Sequence, residues 1–399
     1  LIVCGVIIIK ITSKDGTVTE IKVPEGSKVE IVDESKMGTP ARPSDLLDQA
    51  GKSANPATPD VIDFAAERTA AARLLRLGKG VVKLGHKDRQ WIAILEAPLP
   101  AEPFCILDLE FQGDHLTDDE LAVLVGCRRL ESLDLRANAK LTAAGLTQLG
   151  SLPFLKTLDV GGTGVGDQAL GWLTNCPSLT QISAVHTPMS AAGWESLPPC
   201  PRLTKIATSQ RVGVAGLQRI VEQCPELRDL WIDDETIPDL NPLARLTRLR
   251  RLQTHANSLD GDWVDMLLNM PVFEDLFVDN PIAVDLEQLP ELAPKLKRFG
   301  FRAYGGTRLV TSEKWAPITE MPGLLDLTIA GDVAVDGPGL RRIAAMPDLR
   351  RLHVAADVLS PGDVARFRSF TPDDVAAFRK QRPDVELLIS GQNYPALGD

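Results

Sequence analysis

Aromatic side chains are scarce in this chain. Phe, Trp and Tyr together make up 5% of its 399 residues, so its core has to be built from Leu, Val and Ile. Histidine is scarcer still. His86, His115, His186, His255 and His353 form no His-Glu-x-x-His pair, and no Ser or Cys stands at the spacing of a nucleophile with its base. The six cysteines include no Cys-x-x-Cys pair, the usual sequence form of a zinc or redox site. Basic residues are outnumbered, leaving a formal charge of -11, and a general nucleic-acid or anionic-membrane surface needs a positive field. The glycine run from Gly161 to Gly166 misses the Gly-x-Gly-x-x-Gly spacing and no Gly-Lys-Ser/Thr follows, so it reads as an ordinary turn. The His-Arg-Asp and Asp-Phe-Gly triplets of a kinase are absent as well. These absences leave no candidate catalytic residue, metal ligand or cofactor, and point to a binding protein.

What the chain has in abundance is repetition. Leu130–Ser178 reads LESLDLRANAKLTAAGLTQLGSLPF and then LKTLDVGGTGVGDQALGWLTNCPS, the same sentence twice. Each copy opens on Leu-x-x-Leu-Asp-(Leu/Val), passes a small polar turn, then carries apolar residues at helical spacing and stops at proline. One strand and one helical return per copy is the pattern of a leucine-rich repeat, in which each unit buries its apolar face against its neighbours. Leading residues follow at Phe104, Leu130, Leu155, Leu179, Leu203, Leu227, Leu249, Phe273, Leu296, Leu324, Leu349 and Val385. The fourth residue of each repeat is Leu, Ile or Phe throughout. Ala184, Thr208, Thr254 and Ser390 are the weaker occupants of the sixth. The expected fold class is α/β: a curved parallel sheet with helical returns, a solenoid occupying 104–399. Two long intervals are read as insertions, at Tyr304–Ser312 and at Ser360–Arg379.

Cys127, Cys176, Cys200 and Cys224 each precede the next leading Leu by three residues. Leu152, Leu246, Met270, Ala293, Met321 and Met346 fill the same slot elsewhere. A column shared by Cys, Leu, Met and Ala is a buried apolar column, in which a free thiol acts as a small hydrophobe. Proline follows that slot in most repeats and halts the return. In the last repeat the slot holds Arg382, as expected where the far side meets solvent.

Four segments precede the array. Residues 1–10 open on the apolar run LIVCGVIII, too short by itself for a bilayer span of about 20 residues, and are read as the tail of a transmembrane helix. A buried strand running into Ile11 is the competing reading. Residues 11–34 alternate as a small β-meander around Asp15-Gly16 and Pro24-Glu25-Gly26. Residues 35–60, with Pro40, Pro43, Pro56 and Pro59, are a flexible linker. Residues 61–103 are an N-terminal cap: a helix capped by Asp60 and ended by Gly78 and Gly80, then a hairpin around Gly85–Asp88. An array needs such a cap, because its first repeat otherwise leaves the core open.

Outward strand positions carry the functional signal. At the third residue of successive repeats stand Lys205, Asp229, Arg251, Asp275, Arg298, Asp326 and Arg351, alternating in sign at each step. Neighbouring strands lie about 4.8 Å apart, so these charges are expected to pair with each other. The fifth position then offers Trp231, Gln253 and Phe277, and the seventh offers Asp233, His255, Asp279 and Arg302. Large aromatics on an outward face have no core to fill, and such side chains anchor interfaces. Trp231, Asp233, Gln253, His255, Phe277, Asp279 and Arg302 are therefore the candidate ligand-binding residues of the concave face, for a protein or peptidic ligand.

Three phrases carry a family resemblance: the apolar stub followed by TSKDGTVTEIKVPEGSKVEI; the cap AAERTAAARLLRLGKGVV with APLPAEPFCILDLEF; and LTDDELAVLVGCRRLESLDL with LTAAGLTQL. Together they resemble a bacterial family of single-pass membrane serine/threonine kinases with leucine-rich-repeat ectodomains. The repeats are also similar to the cysteine-containing class of ubiquitin-ligase adaptors. After Leu203 the Thr-Asp signature and the turn Asn fade. The first resemblance implies an extracytoplasmic sensing region held by one membrane helix, with kinase chemistry elsewhere in the protein. The second implies a soluble intracellular adaptor or effector.

Overall fold

The computed structural model describes residues 6–12, 18–24, 62–77, 80–86, 89–94, 98–111, 113, 116–209, 211–234, 236–255, 263–279, 286–303, 316–331, 335, 337–355 and 371–390. The linker 35–60, the third strand of the meander, the Gly85–Asp88 turn tip and the Tyr304–Ser312 insertion lie outside these residues, as does the Ser360–Arg379 insertion up to residue 370.

The chain divides into two compact units, 1–61 and 62–399. In the first, β1 (Val6–Thr12) pairs antiparallel with β2 (Val18–Pro24), Ile9 opposite Ile21 and Lys10 opposite Glu20. This corrects the reading of residues 1–10 as a helix tail, since residues 6–10 are strand. β-branched Val and Ile favour an extended backbone, and a paired partner strand supplies the hydrogen bonds. No helix among the described residues is long and apolar enough to cross a membrane.

The second unit opens with α1 (Phe64–Leu77). Its cap is Asp63, not the expected Asp60: the Asp63 carboxylate accepts the Ala65 and Ala66 N–H groups, each at 3.0 Å. The helix buries Ala70, Ala71, Leu74 and Leu75, together with Glu67, which accepts the Ile106 N–H at 2.8 Å. Burial pushes the Glu67 carboxyl up. β3 (Gly80–His86) and β4 (Arg89–Ile94) form the hairpin of the cap. β3 also pairs antiparallel with β5 (Cys105–Phe111), so the cap closes the array by extending its sheet.

From β5 onward the strands run parallel in chain order: β6 (Ser132–Asp134), β7 (Thr157–Asp159), β8 (Gln181–Ser183), β9 (Lys205–Thr208), β10 (Asp229–Ile232), β11 (Arg251–His255), β12 (Asp275–Asp279), β13 (Arg298–Ala303), β14 (Asp326–Gly331), β15 (Arg351–Ala355) and β16 (Glu386–Ser390). Among the described residues the sheet has fourteen strands, and this succession of parallel neighbours makes the chain a leucine-rich-repeat solenoid. The fourth residue of each repeat points inward, from Leu109 to Leu352, at 2% exposure or less.

The register corrects the array at both ends. Leu109 stands opposite Leu133, so the first leading residue is Ile106 and not Phe104. Phe104 instead lies under the Arg68 guanidinium, 4.8 Å from its ring centre. At the far end Leu352 stands opposite Leu387, one residue earlier than the spacing implied, leaving Leu388 exposed. Among the described residues β16 meets a neighbour on one side only, and β5 meets the antiparallel cap strand β3 in place of a preceding repeat, so the pattern at both ends is less constrained. Arg382 also departs from expectation. Its guanidinium is nearly buried and donates to the Leu349 carbonyl at 2.8 Å and to the Met346 carbonyl, covering carbonyls of the preceding repeat.

Cys105, Cys127, Cys176 and Cys224 are free and buried, and Cys200 is free and half-buried. Burial raises the Cys176 thiol to about 12 and those of Cys105 and Cys200 to about 11. Among the described residues no group of His, Cys, Asp and Glu could hold a metal ion.

The returns are stapled in pairs. α2 (Asp118–Leu121) is followed by α3 (Ala143–Gln148), where the Thr142 N–H and hydroxyl donate to Asp118 at 2.8 and 2.6 Å. α4 (Gln168–Trp172) and α5 (Ala191–Glu195) repeat the device: Ser190 donates to Asp167 through both its N–H and its hydroxyl, at 2.6 Å each. A Cβ on Gly193 would stand 2.6 Å from the Asp167 carboxyl carbon, so glycine is required there. The glycine run is also explained. Gly162, with φ +68°, fills the left-handed turn slot held by Ala137 and His186 in the flanking repeats. The later returns are α6 (Gly213–Gln223), α7 (Trp263–Asn269), α8 (Gly337–Ala344) and α9 (Pro372–Gln381), with 3-10 turns in other repeats.

Candidate interaction face

Because side chains alternate across a strand, residues two and four beyond each leading residue share the sheet face opposite the returns. Register places Lys205, Asp229, Arg251, Asp275, Arg298, Asp326 and Arg351 side by side, and Glu386 adds a rung that the sequence reading missed. The close contacts fall into two groups. Asp275 accepts Arg251 Nε at 2.6 Å and Arg298 Nε at 2.8 Å, while Asp229 stands 3.8 Å from Arg251. Arg351 meets Glu386 at 2.9 Å and Asp326 at 3.6 Å. Among the described residues no ion pair joins the groups across β13 and β14.

A shallow cavity of about 290 Å³ occupies this stretch of the face. Its rim is the charged row from Arg251 to Arg351. Its floor is the next row on the same face: Gln253, Phe277, Gly300 and Thr328, consecutive by register. The Phe277 ring leans over Gly300, where a Cβ would stand 2.7 Å from Cε2 of the ring. Arg302 covers Phe277 from the adjoining strand, its guanidinium carbon 5.6 Å from the ring centre.

Of the expected site residues, Gln253 and Phe277 line this cavity. Trp231 flanks Gln253 on β10, half-buried, and its indole N–H is buried without a hydrogen-bond partner. The remaining four gather where the strands end. His255 stands opposite Asp279, Asp279 opposite Arg302, and Asp233 continues the row just past β10. Asp279 is 2% exposed and accepts Gln253 Nε2 at 2.8 Å. Burial pushes its carboxyl up, Asp233 adds to this, and Gln253, Arg302 and His255 oppose it. The buried Asp279 is thus a support holding Gln253 in place beneath the face.

Sequence reasoning missed Gly300, Thr328 and the arginines as lining groups. A glycine between Phe299 and Phe301, at an outward position beside Phe277, was the available signal. It also missed an acidic row in the first repeats, Glu110, Asp134 and Asp159 in register. There Arg136 bonds Asp134 at 2.7 Å and approaches Asp159 at 3.5 Å, and burial pushes the Asp159 carboxyl up.

No family model and no curated protein matches the chain. Among solved structures it is similar to an internalin from Listeria monocytogenes, at 18% identity over 60% of this chain and 64% of that one, with a TM-score of 0.37. Rad7 of yeast, solved in a complex with Elc1, matches at 13% identity over 71% of this chain and 83% of that one, TM-score 0.42. A chain of a TLR13–ssRNA13 complex matches at 14% identity over 67% and 46%, TM-score 0.34. The chain thus covers less than two thirds of the internalin and of the TLR13 complex chain. The assignment of this protein as a leucine-rich-repeat solenoid rests on its own strand register.

Proposed function

We propose that this chain is a non-catalytic binding region whose open sheet face, expected to be concave, takes a protein or peptidic ligand over β10 to β14. The observation that carries the reading is the floor of the cavity. The half-buried Phe277 ring stands there on the face away from the core, bordered by ordered charge, with the half-buried Trp231 flanking it across Gln253. Such a mixture of rigid aromatic area and polar rim is how interfaces place their anchors. Within this reading the array is the extracytoplasmic arm of a membrane-anchored serine/threonine kinase. That part is supported only by the resemblance of the stub-and-meander, cap and repeat phrases, the kinase link resting on the stub and meander. The test is a photo-crosslinking residue at position 253, with a control at exposed Val214 on the returns. Selective capture of one partner through position 253, lost in Trp231→Ala/Phe277→Ala, is expected. Equal capture from both positions would place the interface elsewhere.

A further inference from the structure

The cavity also has a charge preference, which the protein's overall composition hides. The chain as a whole is acidic, at -11. On the rim the side chains of Arg251, Arg298 and Arg351 are 50%, 40% and 52% exposed, whereas those of Asp275 and Asp326 are 13% and 23% exposed. Both aspartates sit low: Asp275 is engaged by the Nε atoms of Arg251 and Arg298, while Asp326 lies 3.6 Å from Arg351 Nη1 and the Nε of Arg351 goes to Glu386. One terminal nitrogen of each arginine faces a carboxylate at 3.6–3.8 Å (Asp229, Glu274 and Asp326), yet a guanidinium has five N–H donors and keeps others. Among the cavity-lining groups, three arginines to two low-lying aspartates, the more exposed ones are therefore cationic. Between and beneath these groups lies the Phe277 ring, resting on the buried backbone of Gly300.

We propose that this groove recognises an acidic polypeptide segment carrying an apolar side chain between its carboxylates. The inference rests on the open face being the binding face, and names what it binds. The carboxylates would meet Arg251, Arg298 and Arg351 in charge-assisted, bidentate-capable pairs. The apolar group would sit on the half-buried Phe277 ring, which the missing Cβ of Gly300 lets lie down on the floor. The arginines recur on every second strand, about 10 Å apart at ordinary strand spacing. A polyproline-II segment repeats its faces every three residues at about 9 Å, so acidic residues three apart match the row. A nucleic acid fits less well, because Asp275 and Asp326 interrupt the cationic row and Asp229 stands at the neighbouring rung, 3.8 Å from Arg251.

The experiment is selection of a random displayed-peptide library on the immobilised full chain, followed by affinity measurement with the enriched peptides. Enriched sequences should be acidic around an apolar residue, and binding should weaken with added salt. Arg298→Gln should weaken it on the order of fivefold, the scale of an exposed charge pair. Phe277→Ala should weaken it by about tenfold or more. Gly300→Ala, which displaces the ring and removes no charge, should also weaken it, and thermal melting of each variant checks the fold. Enrichment of neutral or basic peptides that still depend on Phe277 would overturn the acidic class and leave the binding face standing. Enrichment indifferent to all three variants, or no enrichment, would overturn both. Displacement of the peptides by a single-stranded oligonucleotide at lower concentration would assign the groove to nucleic acid instead.

Discussion

Thr254 lies at a core position of β11, fully buried, and its hydroxyl has no hydrogen-bond partner. An unsatisfied buried hydroxyl costs roughly 1–3 kcal/mol, so Thr254→Val, nearly the same shape, should raise stability by about 1 kcal/mol. A lower denaturation midpoint in the variant would mean that the hydroxyl has a bound water. Asp279 poses the opposite question, a carboxylate kept in a place that disfavours its charge. Its folded pKa lies above the ordinary value, so the folded state holds the proton to higher pH than the unfolded chain does. Stability therefore falls as pH rises from about 3.9, the ordinary Asp value, through the raised folded one. Asp279→Asn should remove that slope while keeping an acceptor for Gln253. Melting temperatures measured across this window should draw apart as pH rises; parallel profiles would show that Asp279 titrates as an exposed acid. The site residues themselves were legible only by type and parity. An outward Phe at 277 follows from strand alternation, but its lean over Gly300 depends on a residue one strand away and more than twenty positions along the chain.

Between elements, the two devices that lock neighbouring repeats call for different tests. The rung from Asp275 to Arg298 is half in solvent, so its contribution is small. A double-mutant cycle of Asp275→Ala and Arg298→Ala should give a coupling of about 0.5–1 kcal/mol that shrinks with salt. Zero coupling at low salt would show that the contact does not hold in solution. The staple between α4 and α5 is steric as well as polar. Gly193→Ala should destabilise by about 1–3 kcal/mol through overpacking against Asp167. The double variant Asp167→Ala/Gly193→Ala should lose less than the sum, because removing the carboxylate makes the room. Additive losses would place the strain elsewhere. Both partners of each device were visible in the sequence, the alternating charges as a row and the staple as Gly166-Asp167 in one repeat against Ala191-Ala192-Gly193 in the next. The row could be read because period and sign coincide. The staple could not, because nothing in a linear pattern says that a carboxylate occupies the volume of a missing methyl.

For the whole molecule, each repeat packs chiefly on its neighbours, and opening is expected to be local and graded along the array. The cysteine column reports on it. Cys200, half-buried, should react first with a thiol reagent in the native protein, while Cys127, Cys176 and Cys224 should wait for opening of their repeats. Peptide mapping after timed labelling gives the order. Simultaneous labelling of all four at the denatured rate would mean that the column is open to solvent.

The sequence by itself determined the fold class, the direction of the array's strands, the inward column of Leu, Ile and Phe, and the burial of Cys127, Cys176 and Cys224, with Cys200 in the same column only half-buried. It could do so because a solenoid repeats one local solution, and a period of strand and return is written in every copy. Only the tertiary structure decided the ends and the face. Ile106 displaced Phe104, Leu387 displaced Leu388, Asp63 displaced Asp60, and residues 6–10 became strand. In each case the period is broken or absent, and the outcome depends on a partner that the local pattern does not name. The same holds for the groove. Which arginine stands proud, which aspartate lies low and where a ring finds floor are set by contacts between strands, and register between strands is a property of the assembled sheet.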